Sequence, residues 1–457
     1  MKFHQGKPCY LSKLRRLASC VPAIMFAAAV ALAQDPVEPP GGPLKVKLLP
    51  APAGAISLAQ VHPSDLRNTI SGLVSCGTRH SLSSWTDPKR GIGCGRDHIV
   101  AEFKKIAVGS GGRLRVIDDR FEVKAPRTGN RLVPMENVYA ILPGDDPALA
   151  KTVFVVSGHY DTMPTDIMDS TSDAPGADDD GSGTAVSIEC ARLLASGHYR
   201  ATLVFAAVSG EEQELLGGTR LLHYLEQKGY TVGGMLDDDI VGADFAPGAP
   251  HRVRLFSGGG TVDDCDSPSR ELARRVEEID GRSHIRMIFR VDRLGRGGDH
   301  YPFYKAGLPA VRFTEPLEDY RHEHQTPRVV DGVQYGDLMK FLNFDFMARV
   351  ALDNAEALRE LAMAPAPPTD LQIGGAVTPS AKISWIAPDD PERAGFEVLW
   401  RETTNPRWSV FGFAKSSGEF VFKNVSTDNH FFAVRSVGKN GARSIAVPAV
   451  ALMPRKR

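Results

Sequence analysis

TVFVVSGHYD, residues 152–161, and ATLVFAAVSGEE, residues 201–212, each run a string of apolar residues directly into charged ones. Unbroken apolar runs of this length suit strands buried on both faces rather than half-solvated ones. Around them the pattern alternates. DHIVAEFKKIAVGS (97–110) has helical spacing, while RLRVIDDRFEV (113–123) and NVYAILPG (137–144) read as strands. Strands alternating with amphipathic helices predict an α/β fold, a mixed central β-sheet flanked by helices. In such sheets ligands gather at the carboxyl ends of the strands. His159, Asp161, Glu211 and Glu212 stand at those ends, so the fold itself should bring them close together.

Beyond Leu361 the helical pattern stops. MAPAPPTDLQIGG (363–375) opens as a Pro-rich linker, and a period-two pattern follows: AKISWIAP, GFEVLWRET, WSVFGF, EFVFKNV and HFFAVRSVGKNGARS. Short alternating strands with turn residues between them predict a β-sandwich over 370–457. Residues 34–55 are rich in Pro, Gly and Ala without periodicity and read as a flexible lead-in. The linker then covers 362–369 and the α/β domain 56–361.

Lys13, Arg15 and Arg16 precede an apolar run from Val21 to Ala33, which ends in Ala-Leu-Ala. This is the pattern of an export signal over residues 1–33, with a periplasmic or extracellular destination. No later run reaches the ~18 apolar residues of a spanning helix. The whole chain of 457 residues has a formal net charge of −1, so no basic surplus points to nucleic acid. Loss of residues 1–33 would leave 49 basic against 55 acidic side chains. Cys9 and Cys20 would leave with the signal. Cys76 and Cys94 lie in matching Gly-flanked loops and are expected to pair, whereas Cys190 in TAVSIECARLLA reads as a buried small hydrophobe. Cys265 has no assignment.

The chemistry-bearing residues lie in five segments. Zinc in a hydrolase takes imidazole and carboxylate ligands and keeps a position open for water. SGHYDTMP offers His159 as a ligand, with Asp161 two residues on to hold its other ring nitrogen. APGADDDGSGTA places three adjacent acids in a Gly-bracketed loop, a charge that a divalent cation would relieve. In VSGEEQELLGG two consecutive glutamates can divide the labour, one binding metal and the other acting as general base on water. LDDDIVGA (236–243) and DYRHEHQTPR (319–328) supply a further acid and imidazole. His300, His322 and His324 all remain candidates by spacing.

These five segments, in this order, resemble metallopeptidase family 28, the co-catalytic di-zinc exopeptidases that include leucyl aminopeptidases and glutamate carboxypeptidase. The similarity covers roughly 57–350. It implies two Zn2+ ions: His159 and Asp239 on the first, Glu212 and His324 on the second, and Asp179 bridging both. Glu211 would be the general base and Asp161 the acid supporting His159. Asp238 is a substitute for Asp239, and His324 is preferred over His322. GGDHYPF departs from the family's Ser-Asp-His, so Asp299 and His300 are expected to be structural or substrate-facing. Glu323 stands where some members carry an oxyanion-holding tyrosine, which leaves that role without a residue; Tyr301, Tyr304 and Tyr320 are the alternatives. The tail resembles a fibronectin type III domain with Trp385 as its core tryptophan, a module able to contact another protein or surface.

The resemblance implies peptide substrates and an aminopeptidase. Arg321 and Arg328 would instead allow a carboxypeptidase or dipeptidase by gripping a carboxylate. A one-zinc glutaminyl cyclase and a non-catalytic binding protein on the same scaffold are the rivals from other classes.

Overall fold

The computed structural model describes residues 43–44, 48–260, 266–416 and 418–451. The export signal, Cys9, Cys20 and Cys265 lie outside them. The two apolar runs form β3 (Thr152–His159) and β4 (Thr202–Val208), each strand almost wholly buried along its length. With β1 (Arg115–Val123), β2 (Val133–Leu142), β5 (Thr231–Asp238), β6 (Val253–Ser257), β7 (Ile285–Ile288) and β8 (Ala310–Thr314) they make an eight-stranded mixed sheet, order β1-β2-β4-β3-β5-β8-β6-β7. The four central strands β4, β3, β5 and β8 are parallel.

Helices cover both faces, which is why the central strands need no polar alternation. α1 (Pro63–Val74), α2 (Ile92–Gly109), α3 (Gly181–Leu194), α5 (Pro268–Ile279) and α7 (Phe344–Met363) lie on one face, α4 (Leu216–Gln227) and α6 (His300–Lys305) on the other. α3 and α7 form the centre of the larger core, where Val186, Ile188, Cys190, Val350 and Leu358 are fully buried. Cys190 is thus the small buried hydrophobe its pattern predicts. Cys76 and Cys94 are joined by a disulfide with Cα atoms 5.8 Å apart.

Register decides where the strands release their polar residues. His159 pairs with Val208, and Ser157 pairs with Asp237 across the sheet. β3, β4 and β5 therefore end within a residue or two of one another along the sheet edge. α3 departs from the loop after β3, and two glycines let it do so at close range. A β-carbon on Gly183 would stand 1.9 Å from the Asp238 carbonyl oxygen, and one on Gly158 would stand 2.3 Å from the Gly183 carbonyl carbon. No side chain fits at either position.

After α7 the chain enters two facing four-stranded sheets. One has the order β15-β12-β11-β18 and the other β14-β13-β16-β17. The strands are β11 (Thr369–Gly374), β12 (Ala381–Ile386), β13 (Arg393–Glu402), β14 (Ser409–Ala414), β15 (Gly418–Phe422), β16 (His430–Gly438), β17 (Val447–Pro448) and β18 (Val450–Ala451). A short hairpin, β9 (Arg328–Val330) with β10 (Val333–Tyr335), precedes α7. Trp385 is buried in the sandwich core, edge-on to Phe396 with ring centroids 5.4 Å apart.

Short contacts tie down the linker and the described end of the lead-in. α7 runs on to Met363, the Ala362 carbonyl accepts the Arg200 and Ala201 N–H groups, and Ser436 donates to the Ala366 carbonyl. In the lead-in, the Leu49 carbonyl accepts from Arg443 and the Ala53 carbonyl from Arg359, so these residues are fixed rather than flexible. The sandwich docks on α5 through charge. Arg407 pairs with Glu277 at 2.7 Å, Arg435 bonds Glu278 at 3.0 Å, and the Trp408 indole N–H donates to Glu271 at 2.6 Å.

Candidate metal centre

His159 ends β3, Glu211 and Glu212 follow β4, and Asp239 follows β5, so three adjacent parallel strands deliver four of the side chains to one edge. Asp179 arrives from the loop before α3 and His324 from the turn after β8. The Asp179 carboxylate lies between two imidazoles. Its Oδ1 is 3.1 Å from His159 Nε2 and its Oδ2 is 2.9 Å from His324 Nε2. On one side Asp239 Oδ1 is 3.8 Å from His159 Nε2; on the other Glu212 Oε1 is 3.1 Å from His324 Nε2. Two overlapping sets result, His159–Asp179–Asp239 and Asp179–Glu212–His324, each with its ligand atoms within 4.8 Å of one another. The resemblance implies the same two sets.

The donor chemistry fits zinc, since each set offers imidazole nitrogen and carboxylate oxygen. The buried atoms also want a cation. His159 Nε2 and Glu212 Oε1 are buried, and the polar atoms nearest them belong to the same cluster, Asp179 Oδ1 and His324 Nε2, each at 3.1 Å. Burial alone would lower the His324 pKa, yet Glu212 and Asp179 raise it to about 12. Burial opposes ionisation of Asp179 too, but His159 and His324 hold its carboxyl well below the usual range. The protein's own charges therefore draw positive charge into this spot.

The surrounding groups fix these side chains. Asp161, fully buried, accepts the backbone N–H groups of Glu211 and Glu212 at 3.2 and 3.3 Å and the Ser81 hydroxyl at 3.0 Å. The same carboxylate lies 3.5 Å from His159 Nδ1. Asp161 thus organises both the imidazole and the glutamate turn. Glu211 Oε2 is 4.0 Å from His159 Nε2, and burial pushes the Glu211 carboxyl well above the usual carboxylate range, against the pull of His159.

Three organising residues escaped the sequence reading. Asp180 caps α3 through the Gly183 N–H at 2.8 Å and takes the His159 N–H at 2.9 Å. Asp337 accepts the N–H groups of Asp178 and Asp179, at 2.9 and 2.8 Å, from the far side of the loop. Arg312, fully buried on β8, holds Asp239 Oδ2 at 2.8 Å and Asp292 at 3.1 Å. An arginine inside the apolar strand AVRFT was the one signal available, because such a residue must find a partner. Asp180 was visible only as a third acid, and Asp337 carried no signal.

The alternatives fall elsewhere. His322 stacks on Phe341 with ring centroids 3.6 Å apart, and His300 bonds Asp237 and the Val291 carbonyl. Asp238 is bonded by Asn354. Asp299 takes the Gly218 N–H, a structural contact. Tyr304 donates to the Gly259 carbonyl, Tyr301 stacks on Tyr304, and Tyr320 is exposed. None of the three tyrosines lines the cleft that holds Glu211, which is walled by Arg127, Met163, Leu215, Arg293 and Arg296. Arg321 pairs with Asp319, and Arg328 lies over the Tyr335 ring. A second cleft also reaches Asp179; its lining mixes Ile240, Phe245, Leu317 and Phe341 with charged side chains such as Glu315, Glu318, Arg321, Glu323 and Lys340.

Residues 137–342, which carry every side chain of the two sets, match the profile of Peptidase family M28. A protein of Leptosphaeria maculans described as a probable zinc metalloprotease is 39% identical over 422 residues, 87% of this chain and 97% of the relative. One from Pyrenophora tritici-repentis with the same description is 39% identical over 435 residues, 88% of each chain. Among solved structures, the LapA aminopeptidase of Legionella pneumophila aligns with a TM-score of 0.50 at 20% identity, over 68% of this chain and 74% of its own. The glutaminyl cyclase of Fimbriiglobus ruber gives 0.50 at 20% identity, over 68% of this chain and 99% of its own. Identity this low speaks for the fold alone. The curated relatives, matched over most of their length, carry the stronger conclusion: this chain belongs to Peptidase family M28 and is a zinc metallopeptidase.

Proposed function

We propose that the protein is an exported aminopeptidase that holds two zinc ions and removes N-terminal residues from peptides. The observation that carries this reading is the Asp179 carboxylate between His159 and His324, with Asp239 and Glu212 completing a set on either side and Glu211 next to both. A glutaminyl cyclase reading needs one zinc; two complete sets favour two.

Bound zinc would polarise the scissile carbonyl and lower the pKa of water toward ~7. His159, Asp179 and Asp239 would hold one ion, and Asp179, Glu212 and His324 the other. Glu211, kept free of ligand duty and pushed up by burial, takes the proton of the attacking water and returns it to the departing amine. Asp161 holds Glu211 in place through its backbone and keeps the His159 ring oriented. Arg312 fixes Asp239. The free α-amine of the substrate sits among the remaining carboxylates, and the second cleft, through Ile240, Phe245, Leu317 and Phe341, takes the first side chain. The Lys13-to-Ala33 signal pattern and the Cys76–Cys94 disulfide, a bond of oxidising compartments, support export.

The test is a panel of aminoacyl anilides and N-blocked peptides, assayed with and without chelator, beside a count of zinc per chain. Cleavage of free-amine substrates only, abolished by chelation, with two zincs bound, is expected. One zinc per chain, or cleavage of blocked peptides instead, would overturn this reading.

A further inference from the structure

Three guanidinium groups wall the cleft over the carboxylate cluster, and they are not equivalent. Arg293 pairs with Asp292 at 3.1 Å and Glu318 at 2.7 Å; Arg296 pairs with Glu318 at 2.7 Å and with Glu323. Their charge is already answered. Arg127 has no carboxylate partner among the described residues. Its one hydrogen bond runs from Nη1 to the Glu212 carbonyl, 2.8 Å. That contact leaves four of the five guanidinium N–H donors for another group.

Arg127 is also held still. It sits in a single 3-10 turn, Pro126–Thr128, whose Thr128 hydroxyl is bonded to the Ala125 backbone and to the Arg131 carbonyl. Its side chain is then pinned to the backbone of Glu212, one residue from Glu211. A fixed, exposed cation with spare donors is built to receive an anion, and guanidinium geometry matches a carboxylate in two-point fashion. The second cleft that reaches Asp179 offers Ile240, Phe245, Leu317 and Phe341 to the first side chain. The Arg127 side, beside the glutamate that hands its proton to the departing amine, remains for the leaving half of the peptide.

We propose that Arg127 binds a carboxylate on the residue that follows the scissile bond, and so selects short peptides with a free C-terminus or an acidic second residue. This rests on the aminopeptidase reading. An N-blocked series separates the failure of one from the failure of the other.

The experiment measures kcat/KM of the zinc-loaded enzyme for matched pairs: Leu-Leu against its C-terminal amide, Leu-Asp amide against Leu-Asn amide, and N-acetylated Leu-Leu against its amide. For the wild type, the carboxylate member of at least one free-amine pair should be preferred by about tenfold to a hundredfold, the range of a charge-assisted hydrogen bond. Preference in the first pair identifies the α-carboxylate as the ligand, and preference in the second identifies the side chain. Arg127→Gln should bring that ratio close to one, and Arg127→Lys, which keeps the charge but loses the fork, should retain part of it. A ratio near one in the wild type overturns the proposal. So does a ratio that survives Arg127→Gln while all rates fall together, the signature of a residue that merely supports Glu212. If only the acetylated pair is cleaved, the aminopeptidase reading fails, and the same ratio in that pair still decides the role of Arg127.

Discussion

Along α5 the acids are answered one by one: Glu271 by Arg274 and the Trp408 indole, Glu277 by Arg407, Glu278 by Arg435, and Asp266 by Arg274 and Arg401. At the strand ends of the central sheet, Asp179, Glu211, Glu212 and Asp239 gather with two imidazoles and the single guanidinium of Arg312. Both regions bury charge, but in different company. At the docking surface each of these acids meets an arginine or an indole N–H. The strand-end cluster instead crowds its carboxylates and imidazoles around the one Asp179 side chain, in two overlapping sets of ligand atoms. Imidazoles and carboxylates converging on one shared carboxylate at the carboxyl ends of parallel strands are the physical mark of a site meant for a cation.

Substitutions should therefore act differently in the two regions. The largest effect is expected from Glu211→Gln, which should lower kcat by about a hundredfold to ten-thousandfold while zinc content and thermal midpoint stay close to wild type. Equal loss of zinc would move Glu211 from base to ligand. At the docking surface Arg435→Ala should do the reverse. It strips one partner from the buried Glu397, which keeps Arg443, and one from Glu278, which keeps Arg275; losing such charge-assisted hydrogen bonds costs about 1.5–3 kcal/mol of stability, read by denaturant unfolding, with kcat of the folded enzyme preserved. A fall in kcat instead would show that the sandwich shapes the site. Trp408→Phe removes one hydrogen bond to a buried carboxylate and should cost about 1.5–3 kcal/mol in the same measurement.

The smallest effect is one of pH. Burial would raise the Glu278 carboxyl, but Arg435 and Arg275 hold it well below the usual range. A depressed folded-state pKa means that its stabilisation is full above the unfolded value of about 4.3 and is lost as pH falls through the folded value. The thermal midpoint of Glu278→Gln should lie below wild type at neutral pH and converge with it in acid. A gap of the same size at pH 7 and at pH 3 would mean that the carboxylate charge is not what stabilises the contact.

How much was legible follows from what kind of signal each residue carries. β3 and β4 announced themselves because strands buried on both faces must be continuously apolar, and the polar residues that end them had to lie at the sheet edge. The five candidate ligands were legible because imidazoles and acids at such ends, in that order, match a known family. The sandwich was legible from its alternation. The stiffness of the lead-in at Leu49 and Ala53 was not, since Pro, Gly and Ala look alike whether free or pinned by arginines more than three hundred residues away. Neither was the choice between His322 and His324 by spacing alone: two residues apart, one stacks on Phe341 and the other faces Asp179.

By itself the sequence determined the architecture, the order of the strands that end in chemistry, and the set of groups that could bind metal, because apolar periodicity and side-chain chemistry are local properties. Only the tertiary structure decided that Asp180, Asp337 and Arg312 hold those groups, and that Arg127 alone among the three guanidiniums of the cleft stands without an acid. Those are facts of distance between segments far apart in the chain. They depend on register across β3, β4 and β5 and on the close approach allowed by Gly158 and Gly183, and no local pattern encodes either.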